Sequence, residues 1–535
     1  MALEATMAHL DDFIAHQMRR QPIPGLALAL TDRTQLLRVA TYGLADRAAQ
    51  TPVTPDTLFE IGSIGKSFTS IALLQQHEAG HLDLQAPVTT YLPWLTIPSP
   101  YAPITLHHLL SHTAGITRGT DLAPGTRFEV AALRAFAPGF PPGTRFHYSN
   151  VGYKALGYLL EETTQRPFAE ILQTGILDPL AMQATHPVIT YATRPQLAVG
   201  YRPAYDDRPW HARHPLVPAP WHEYGAGDGS LASTPADMAA YVRMLLNRGQ
   251  GPHRRLLQPA SFDRLVEHVI EAWPGSFYGY GLSSEEVDGH TCVGHGGGTL
   301  GFGSTILADM DAGLGVVVLC NSVLANPGAI AQYALTLLRA ASRGEGVPAM
   351  PPDNDVLTVE HPDDYSGTYR AGAKTLTLVA EDRRLLLQHG DAHIPLEPRG
   401  PDTFFVNDPH LGLFLLRFGR SGGQVVEAFF GPTWYTNDNF PEAETFDAPA
   451  TWAPYVGHYR AHNPWLSNFR IVLRKGELAL IYPWGNEEPL VPLEEAGSFQ
   501  VGVESPERIQ FDTLIAGQTL RANLSGCDYY RFFTP

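Results

Sequence analysis

The sequence predicts an α+β protein in which a mixed antiparallel sheet packed with helices is followed by two antiparallel β-barrel-like units. Strand-like segments lie near both ends of the first region, residues 1–341, and helical segments lie between them. Beyond this region, short strands with alternating apolar residues repeat after about 90 residues. The strands at the two ends of the first region favour a single sheet to which both ends contribute. The repeat favours two similar β units.

The composition excludes several classes of protein. Hydrophobic residues make up 44% of the 535 residues and charged residues only 17%, which excludes a disordered chain. The net charge of −17, without any block of Lys or Arg, argues against partners such as nucleic acid or an anionic membrane. The three cysteines are too few for a disulfide framework, and we find neither a signal-peptide pattern nor a membrane-spanning apolar run. We therefore expect a soluble, cytoplasmic, multidomain protein.

The first region alternates predicted helices and strands. It begins with an amphipathic helix, because Leu10, Phe13, Ile14 and Met18 recur at helical spacing. Strand-like residues early and late in the region predict a single sheet, with Pro- and Gly-rich loops joining the helices. The other predicted helices span residues 63–78, 151–162, 235–247 and 329–341, and the predicted strands span residues 25–30, 36–42, 304–308 and 315–319.

A linker and an internal repeat divide the rest of the chain. Residues 342–356 combine Pro, Gly and charge without periodicity, as a linker does. After it, residues 365–370 (YSGTYR) match residues 455–460 (YVGHYR), and further pairs of strands follow at a similar offset. The repeat predicts either two small barrels or one duplicated sandwich. The predicted division is therefore residues 1–341, linker 342–356, and β units 357–448 and 449–535.

Ser63 and Lys66 are the first candidates for chemistry. They lie three residues apart at the start of a predicted helix, so both side chains share one face. A serine becomes a nucleophile when a neighbouring group takes its proton, and only four of the 37 Lys and Arg residues are lysines. A lysine is therefore weak evidence for a position where arginine cannot serve. Alone, the pair is also explained as a helix cap beside a chance lysine.

Two later motifs supply further groups that a serine nucleophile needs. Tyr148 and Asn150 place a phenol and an amide on the same side of an extended segment, although a turn with a helix cap explains them as well. The run Gly294-His-Gly-Gly-Gly298 allows a substrate to lie against the backbone and leaves N–H groups for an oxyanion. A flexible turn with a surface histidine is the alternative.

In this order, S-x-x-K, Y-x-N and H-x-G resemble the serine β-lactamase and penicillin-binding-protein superfamily. The likeness is closest to its class C-like branch, which includes D-aminopeptidases, D-alanyl-D-alanine carboxypeptidases and esterases. It covers residues 5–340, and the β units resemble the paired barrels of D-aminopeptidases in layout alone. Further stretches that agree are residues 24–27 (PGLA), 59–63 (FEIGS), 104–116 (ITLHHLLSHTAGI) and 227–234 (GDGSLAST).

The resemblance implies a role for each motif residue. Ser63 is the acylated nucleophile, Lys66 shuttles its proton, and Tyr148 is a general base that the lysine keeps acidic. Asn150 orients the substrate amide. The implied oxyanion hole is formed by the backbone N–H groups of Ser63 and Gly298. His295 is implied to be catalytic, and the implied substrate-binding residues are Asn150, His295, Gly296 and Gly297. The family chemistry implies no cofactor and no metal.

His295 and Gly296 depart from the family pattern. Many relatives carry a lysine and a hydroxyl there, which hold the carboxylate of a β-lactam or of D-Ala-D-Ala. A neutral imidazole beside glycine does this poorly, so the sequence favours a serine hydrolase that cleaves a small amide, a peptide with D-amino acids, or an ester. Acyl transfer on the same site and a non-catalytic, penicillin-binding-protein-like sensor are the alternatives, and we expect a small-molecule or peptide substrate and possibly a homodimer.

Other residues have two explanations each. His107, His108 and His112 suggest a metal site by their number, but no carboxylate or thiolate follows at ligand spacing. Asp228 lies in a Gly-rich loop where a turn explains it as well as catalysis does. The aromatic stretch 201–224 either walls the substrate pocket or docks on the β units, and Lys154 is predicted to be an exposed helix residue. The β units themselves either cover the cleft or serve in dimerisation.

Overall fold

The computed structural model of the chain describes residues 2–119, 125–352, 355–441 and 446–532, with side chains from Thr6 onward. Contacts divide the protein into two units. The first comprises Met1–Arg202 and Pro215–Pro351. The second comprises Pro203–His214 and Pro352–Pro535, so a short segment from within the first region belongs to the β units.

The helices lie in the first unit, apart from two short 3₁₀ turns of the second. None of the helices in the described ranges combines the length and the apolar character that crossing a membrane requires. The α-helices are α1 Ala2–Arg20, α2 Gly65–Glu78, α3 Val88–Tyr91, α4 Leu106–Leu110, α5 Thr126–Ala132, α6 Asn150–Thr164, α7 Phe168–Leu172, α8 Pro235–Leu246, α9 Pro259–Leu265 and α10 Pro327–Ser342. The single-turn segments are Gly62–Ile64, Leu133–Ala135, Gln173–Leu177, Arg194–Gln196, Pro362–Tyr365 and Ala450–Tyr455.

The strands before the linker form one large sheet and two strand pairs. They are β1 Gly25–Asp32, β2 Leu36–Asp46, β3 Thr51–Pro52, β4 Phe59–Glu60, β5 Tyr201–Pro203, β6 Leu216–Pro218, β7 Ala232–Ser233, β8 Ile270–Trp273, β9 Ser276–Tyr278, β10 Ser283–Val287, β11 His290–Gly298, β12 Gly303–Asp309 and β13 Leu314–Cys320. The nine-stranded sheet has the order β3-β2-β1-β13-β12-β11-β10-β9-β8, while β4 pairs with β7 and β5 with β6.

The large sheet joins the two ends of the first region, as the sequence predicts. Strand β1 pairs antiparallel with both β2 and β13, and Leu28 lies opposite Val318. Side chains alternate across β1, so Ala27 and Ala29 face the core that contains α2 and α8, whereas Leu28 and Leu30 face the core beneath α1 and α10. Because helices cover both faces, β1 is apolar over residues 25–30 rather than alternating with polar residues.

The repeated part forms two closed eight-stranded antiparallel barrels. Residues of the repeat occupy equivalent places, since Tyr369 donates its hydroxyl to the carbonyl of Tyr365 at 3.0 Å and Tyr459 does the same to Tyr455 at 2.7 Å. The alternative of a duplicated sandwich is therefore wrong. The barrel strands are β14 Gly367–Ala371, β15 Lys374–Glu381, β16 Arg384–His389, β17 Ala392–Gly400, β18 Thr403–Val406, β19 Leu416–Ser421, β20 Gln424–Phe430, β21 Thr433–Thr436, β22 Gly457–Arg460, β23 Asn468–Arg474, β24 Glu477–Ile481, β25 Glu487–Pro492, β26 Ser498–Val501, β27 Arg508–Ile515, β28 Gln518–Leu524 and β29 Cys527–Arg531.

The aromatic stretch predicted from the sequence divides between the two units. Asp206 accepts hydrogen bonds from Arg460 at 2.6 Å and from Ser467 at 2.8 Å, both in the second barrel. The ring of His211 stacks on Phe405 of the first barrel at 5.2 Å between centroids. Residues 203–214 therefore dock on the β units, which was one of the two alternatives.

Candidate active site

Ser63 and Lys66 are in direct contact. Ser63 lies in the short turn Gly62–Ile64 immediately before α2, and its side chain is half-buried. Lys66 lies in the first turn of α2 and is fully buried. Its Nζ donates to Ser63 Oγ at 3.0 Å and to the backbone carbonyl of Asp228 at 2.8 Å. These two acceptors orient the amine of Lys66 toward the serine.

Glycines let several backbone segments approach this turn. A Cβ on Gly62, whose φ is +51°, would lie 2.8 Å from the backbone N of Gly298 in β11. A Cβ on Gly229 would lie 2.7 Å from the carbonyl oxygen of Gly62, and one on Gly281 would lie 2.8 Å from the backbone N of Ser67. Side chains at these positions would push the segments apart. Gly62 therefore lets the end of β11 approach the serine turn, and Gly229 and Gly281 let two further segments approach the turn and the start of α2.

Tyr148 and Asn150 enter the site from the start of α6. Ser149 caps this helix, because its hydroxyl accepts from the backbone N–H of Gly152 at 3.1 Å. The cap places the Tyr148 ring with its centroid 4.8 Å from Lys66 Nζ. Oδ1 of Asn150 is buried and has no hydrogen-bond partner among the described residues. A buried acceptor without a partner, two residues along the chain from Tyr148, fits a site that receives an N–H group from a ligand.

His295 completes the cluster from β11. Its Nε2 lies 3.0 Å from the hydroxyl of Tyr278, and its Nδ1 lies 2.5 Å from the carbonyl oxygen of Gly296. Burial and, secondarily, the nearby charge of Lys66 lower the pKa of His295 to about 4. The imidazole is therefore neutral at pH 7.

The structure thus brings together Ser63, Lys66, Tyr148 and His295, which lie far apart in the sequence. The profile of the Beta-lactamase family matches residues 10–341 of the chain. The chain belongs to the beta-lactamase family.

Named relatives of this family member include hydrolases of different kinds. A D-aminopeptidase of Gluconobacter oxydans (strain 621H) is 29% identical over 378 residues, 68% of this chain and 66% of that protein. Esterase EstB of Burkholderia gladioli is 31% identical over 197 residues, 33% of this chain and 50% of the esterase. The chain therefore spans less than two thirds of either relative.

A solved structure supports the same assignment. The octameric penicillin-binding protein homologue from Pyrococcus abyssi matches with a TM-score of 0.60 at 25% identity, covering 81% of this chain and 100% of that one. The family match confirms the predicted resemblance, and together with the two closed barrels it confirms the predicted fold class. The protein is a serine hydrolase of the β-lactamase-like superfamily.

The glycine-rich run of this family member is a strand rather than a flexible turn. Residues 294–298 belong to β11, which pairs antiparallel with β12 so that Gly297 lies opposite Ser304. A Cβ on Gly297 would lie 1.9 Å from the carbonyl oxygen of Ile61. The ladder and this close approach, neither of which is visible in the sequence, hold the glycines in an extended conformation.

Two neighbouring glycines of β11 should differ sharply when substituted. Gly297→Ala should lower the free energy of unfolding by about 2–3 kcal/mol, because its Cβ overlaps the backbone of Ile61. Gly296→Ala is the matched control, since its Cβ would meet only the carbonyl oxygen of Ser304 at 3.9 Å. Urea denaturation of both variants measures the difference. Equal losses in the two variants would contradict the close approach of β11 to the serine turn.

Residues that the sequence motifs do not include also surround Tyr148. His112 is buried with its ring centroid 4.2 Å from that of Tyr148, and its Nδ1 accepts from the backbone N–H of Ser149 at 3.0 Å. Burial holds the pKa of His112 well below its usual value. Tyr278, from β9, lies against both rings. Only the position of His112 in residues 104–116, a stretch shared with the family, signalled its place near the site.

The three histidines of the metal hypothesis have separate structural roles. Helix α4 ends at Leu110, so His108 and His112 do not share a helical face. His107 Nδ1 lies 2.7 Å from the hydroxyl of Tyr280, and His108 takes part in capping α4 with Thr105. His112 instead faces Tyr148. His107, His108 and His112 therefore do not form a common set of metal ligands.

Lys154 is buried, which corrects the prediction that it is exposed. It is only 1% exposed, and its Nζ pairs with Glu129 at 2.6 Å. Its Nζ also lies 5.8 Å from the ring centroid of Tyr224, whose hydroxyl donates to the carboxylate of Asp228 at 2.5 Å. The sequence offered no sign of this, because the pairing carboxylate is 25 residues away in α5. Asp228 lies at the site through its backbone carbonyl.

Proposed function

We propose that this serine hydrolase forms a covalent acyl-enzyme on Ser63 and cleaves small amides or esters that carry a free amino group, including D-amino-acid derivatives. The observation that carries the proposal is the 3.0 Å contact between Ser63 Oγ and the buried Lys66 Nζ. A buried lysine in contact with a hydroxyl is the arrangement that activates a serine nucleophile.

The acylation step uses three side chains. Ser63 Oγ attacks the substrate carbonyl carbon as its proton passes by way of Lys66 to Tyr148. Collapse of the tetrahedral intermediate breaks the bond to the leaving nitrogen or oxygen, and Tyr148 as general acid supplies the proton that this atom needs. In the second half, Tyr148 accepts a proton from water as the water oxygen attacks the acyl carbon. Collapse of this second intermediate breaks the bond to Ser63 Oγ, and the proton on Tyr148 returns to Oγ by way of Lys66, which contacts Oγ at 3.0 Å.

Two further groups stabilise and orient the reacting carbonyl. The backbone N–H groups of Ser63 and Gly298 are the proposed oxyanion hole, supported by the approach of β11 to the serine turn. Asn150 offers its unpartnered Oδ1 to an N–H group of the substrate. The two backbone N–H donors for the carbonyl oxygen and the Asn150 acceptor for the amide N–H together favour an amide bound in the orientation that Ser63 attacks.

The preference for an amino group rests on the neutral residues of β11 at the site and on the net charge of the whole chain. His295 is neutral at pH 7 because its pKa is about 4, and Gly296 has no hydroxyl. These residues give a substrate carboxylate little to bind. The net charge of −17 attracts cations at low salt instead. The named D-aminopeptidase relative supports a substrate with a free amino group, and the named esterase relative supports ester cleavage.

Rates on matched substrates test this proposal. We expect a higher kcat/KM for D-alanine p-nitroanilide than for its N-acetylated form, since acetylation removes the amino charge. We also expect D-Ala-D-Ala amide to exceed D-Ala-D-Ala, because only the latter bears a carboxylate next to the scissile bond. Preference for the free carboxylate would overturn the role given to His295 and Gly296.

A further inference from the structure

An exposed tryptophan lies close to the candidate base. Trp273 ends β8 and is 53% exposed. It lies opposite Ser276 across a two-residue turn, and the backbone N–H of Gly275, whose φ is +74°, donates to Glu271 at 3.0 Å. The hairpin β8–β9 therefore fixes the backbone at Trp273, while much of the surface of the indole faces water.

Phe146 connects this indole with the site. Its ring centroid lies 5.4 Å from that of Trp273 in an edge-to-face arrangement. It also lies 5.3 Å from the ring of Tyr278 and 6.4 Å from the ring of Tyr148. We call Trp273 and Phe146 the aromatic shelf. The shelf is thus continuous with the ring of the candidate base rather than an isolated patch on the surface.

The position of Tyr148 decides which part of a substrate meets the shelf. If Tyr148 returns a proton to the leaving nitrogen or oxygen, this atom lies beside its hydroxyl during acylation. Whatever the leaving atom carries then extends along the surface that flanks Tyr148, and the aromatic shelf is part of that surface. The inference therefore rests on the proposed function for the role of Tyr148.

We propose that the aromatic shelf is a leaving-group subsite that takes an aromatic or bulky apolar group. An exposed indole edge-on to a phenyl ring offers apolar area and a geometry that a further ring can extend. Such a group removes the exposed face of Trp273 from water, which a short alkyl group cannot do. The preferred substrates are then amino-acid esters or amides whose alcohol or amine part is aromatic.

Leaving groups of similar reactivity and different size test the subsite. The benzyl and ethyl esters of D-alanine share one acyl group, so the ratio of their kcat/KM values reports the leaving-group side. We expect this ratio to fall about tenfold in Trp273→Ala and to recover largely in Trp273→Phe. Trp484→Ala is the matched control, because Trp484 is a 47% exposed tryptophan of the second barrel that stacks on Tyr482. It should keep the wild-type ratio.

A binding measurement separates failure of the subsite from failure of the proposed function. Calorimetry on the Ser63→Ala protein compares D-alanine benzylamide with D-alanine ethylamide, with and without Trp273→Ala. We expect the benzyl preference to be lost with the indole, whether or not the esters are hydrolysed. A benzyl-to-ethyl ratio and a benzyl affinity that are both unchanged in Trp273→Ala would overturn the subsite. Unhydrolysed esters with an indole-dependent affinity would overturn only the proposed function.

Discussion

Replacing Lys66 by arginine should reduce kcat/KM by about 10³-fold or more, almost as much as replacing Ser63 by alanine. Arginine keeps the positive charge but does not release its proton in proteins. Its planar head is also larger than the amine that fits between Ser63 Oγ and the carbonyl of Asp228. Loss of activity with retained charge would therefore show that Lys66 does more than supply a positive charge.

The matched control for this substitution is Lys475→Arg. Lys475 pairs with Glu427 at 3.0 Å in the β units and is partly exposed. An arginine can therefore replace it with little change in the free energy of unfolding. Circular dichroism and urea denaturation establish that each variant is folded. Substantial activity in a folded Lys66→Arg protein would mean that Lys66 acts only as a positive charge.

Tyr148→Phe should lower kcat by about 10²–10⁴-fold with little change in KM. The substitution removes the hydroxyl that is proposed to move protons, while the ring keeps its contacts with His112 and Phe146. Steady-state kinetics on D-alanine p-nitroanilide measures the effect.

Tyr333→Phe is the control for loss of a tyrosine hydroxyl. Its hydroxyl donates to the carbonyl of Pro348 at 3.1 Å on the α10 side of the sheet, so kcat should not change. An unchanged kcat in Tyr148→Phe would instead move the base role to another group, with Lys66 as the nearest candidate.

The helices and strands of the protein were predicted well from the sequence, because the patterns that indicate them lie within short segments. The apolar run of β1 and the helix that follows Ser63 are each visible within a few residues. The repeat of the β units is visible as matching short segments about 90 residues apart. Pairing of early with late strands also followed from their positions at the two ends of the region. The motif residues Ser63, Lys66, Tyr148 and His295 were found by their order along the chain, and the fold explains why they meet.

What the sequence did not reveal depends on partners distant along the chain. Lys154 is buried because Glu129 pairs with it, and a lysine on a helix is otherwise expected in water. The glycines of β11 are extended because β12 and the backbone of Ile61 hold them there. Residues 203–214 join the barrels through Asp206 and His211, contacts that span about as much chain as a whole domain.

The covalent bond to Ser63 is the central claim, and mass spectrometry of the labelled protein tests it most directly. Treatment with a fluorophosphonate, which phosphonylates an activated serine and releases fluoride, should add one label per chain. Tryptic digestion should place the label on residues 48–66, a peptide whose one serine is Ser63. The Ser63→Ala protein should remain unlabelled and inactive. A label on another peptide, or hydrolysis by a folded Ser63→Ala protein, would contradict the account.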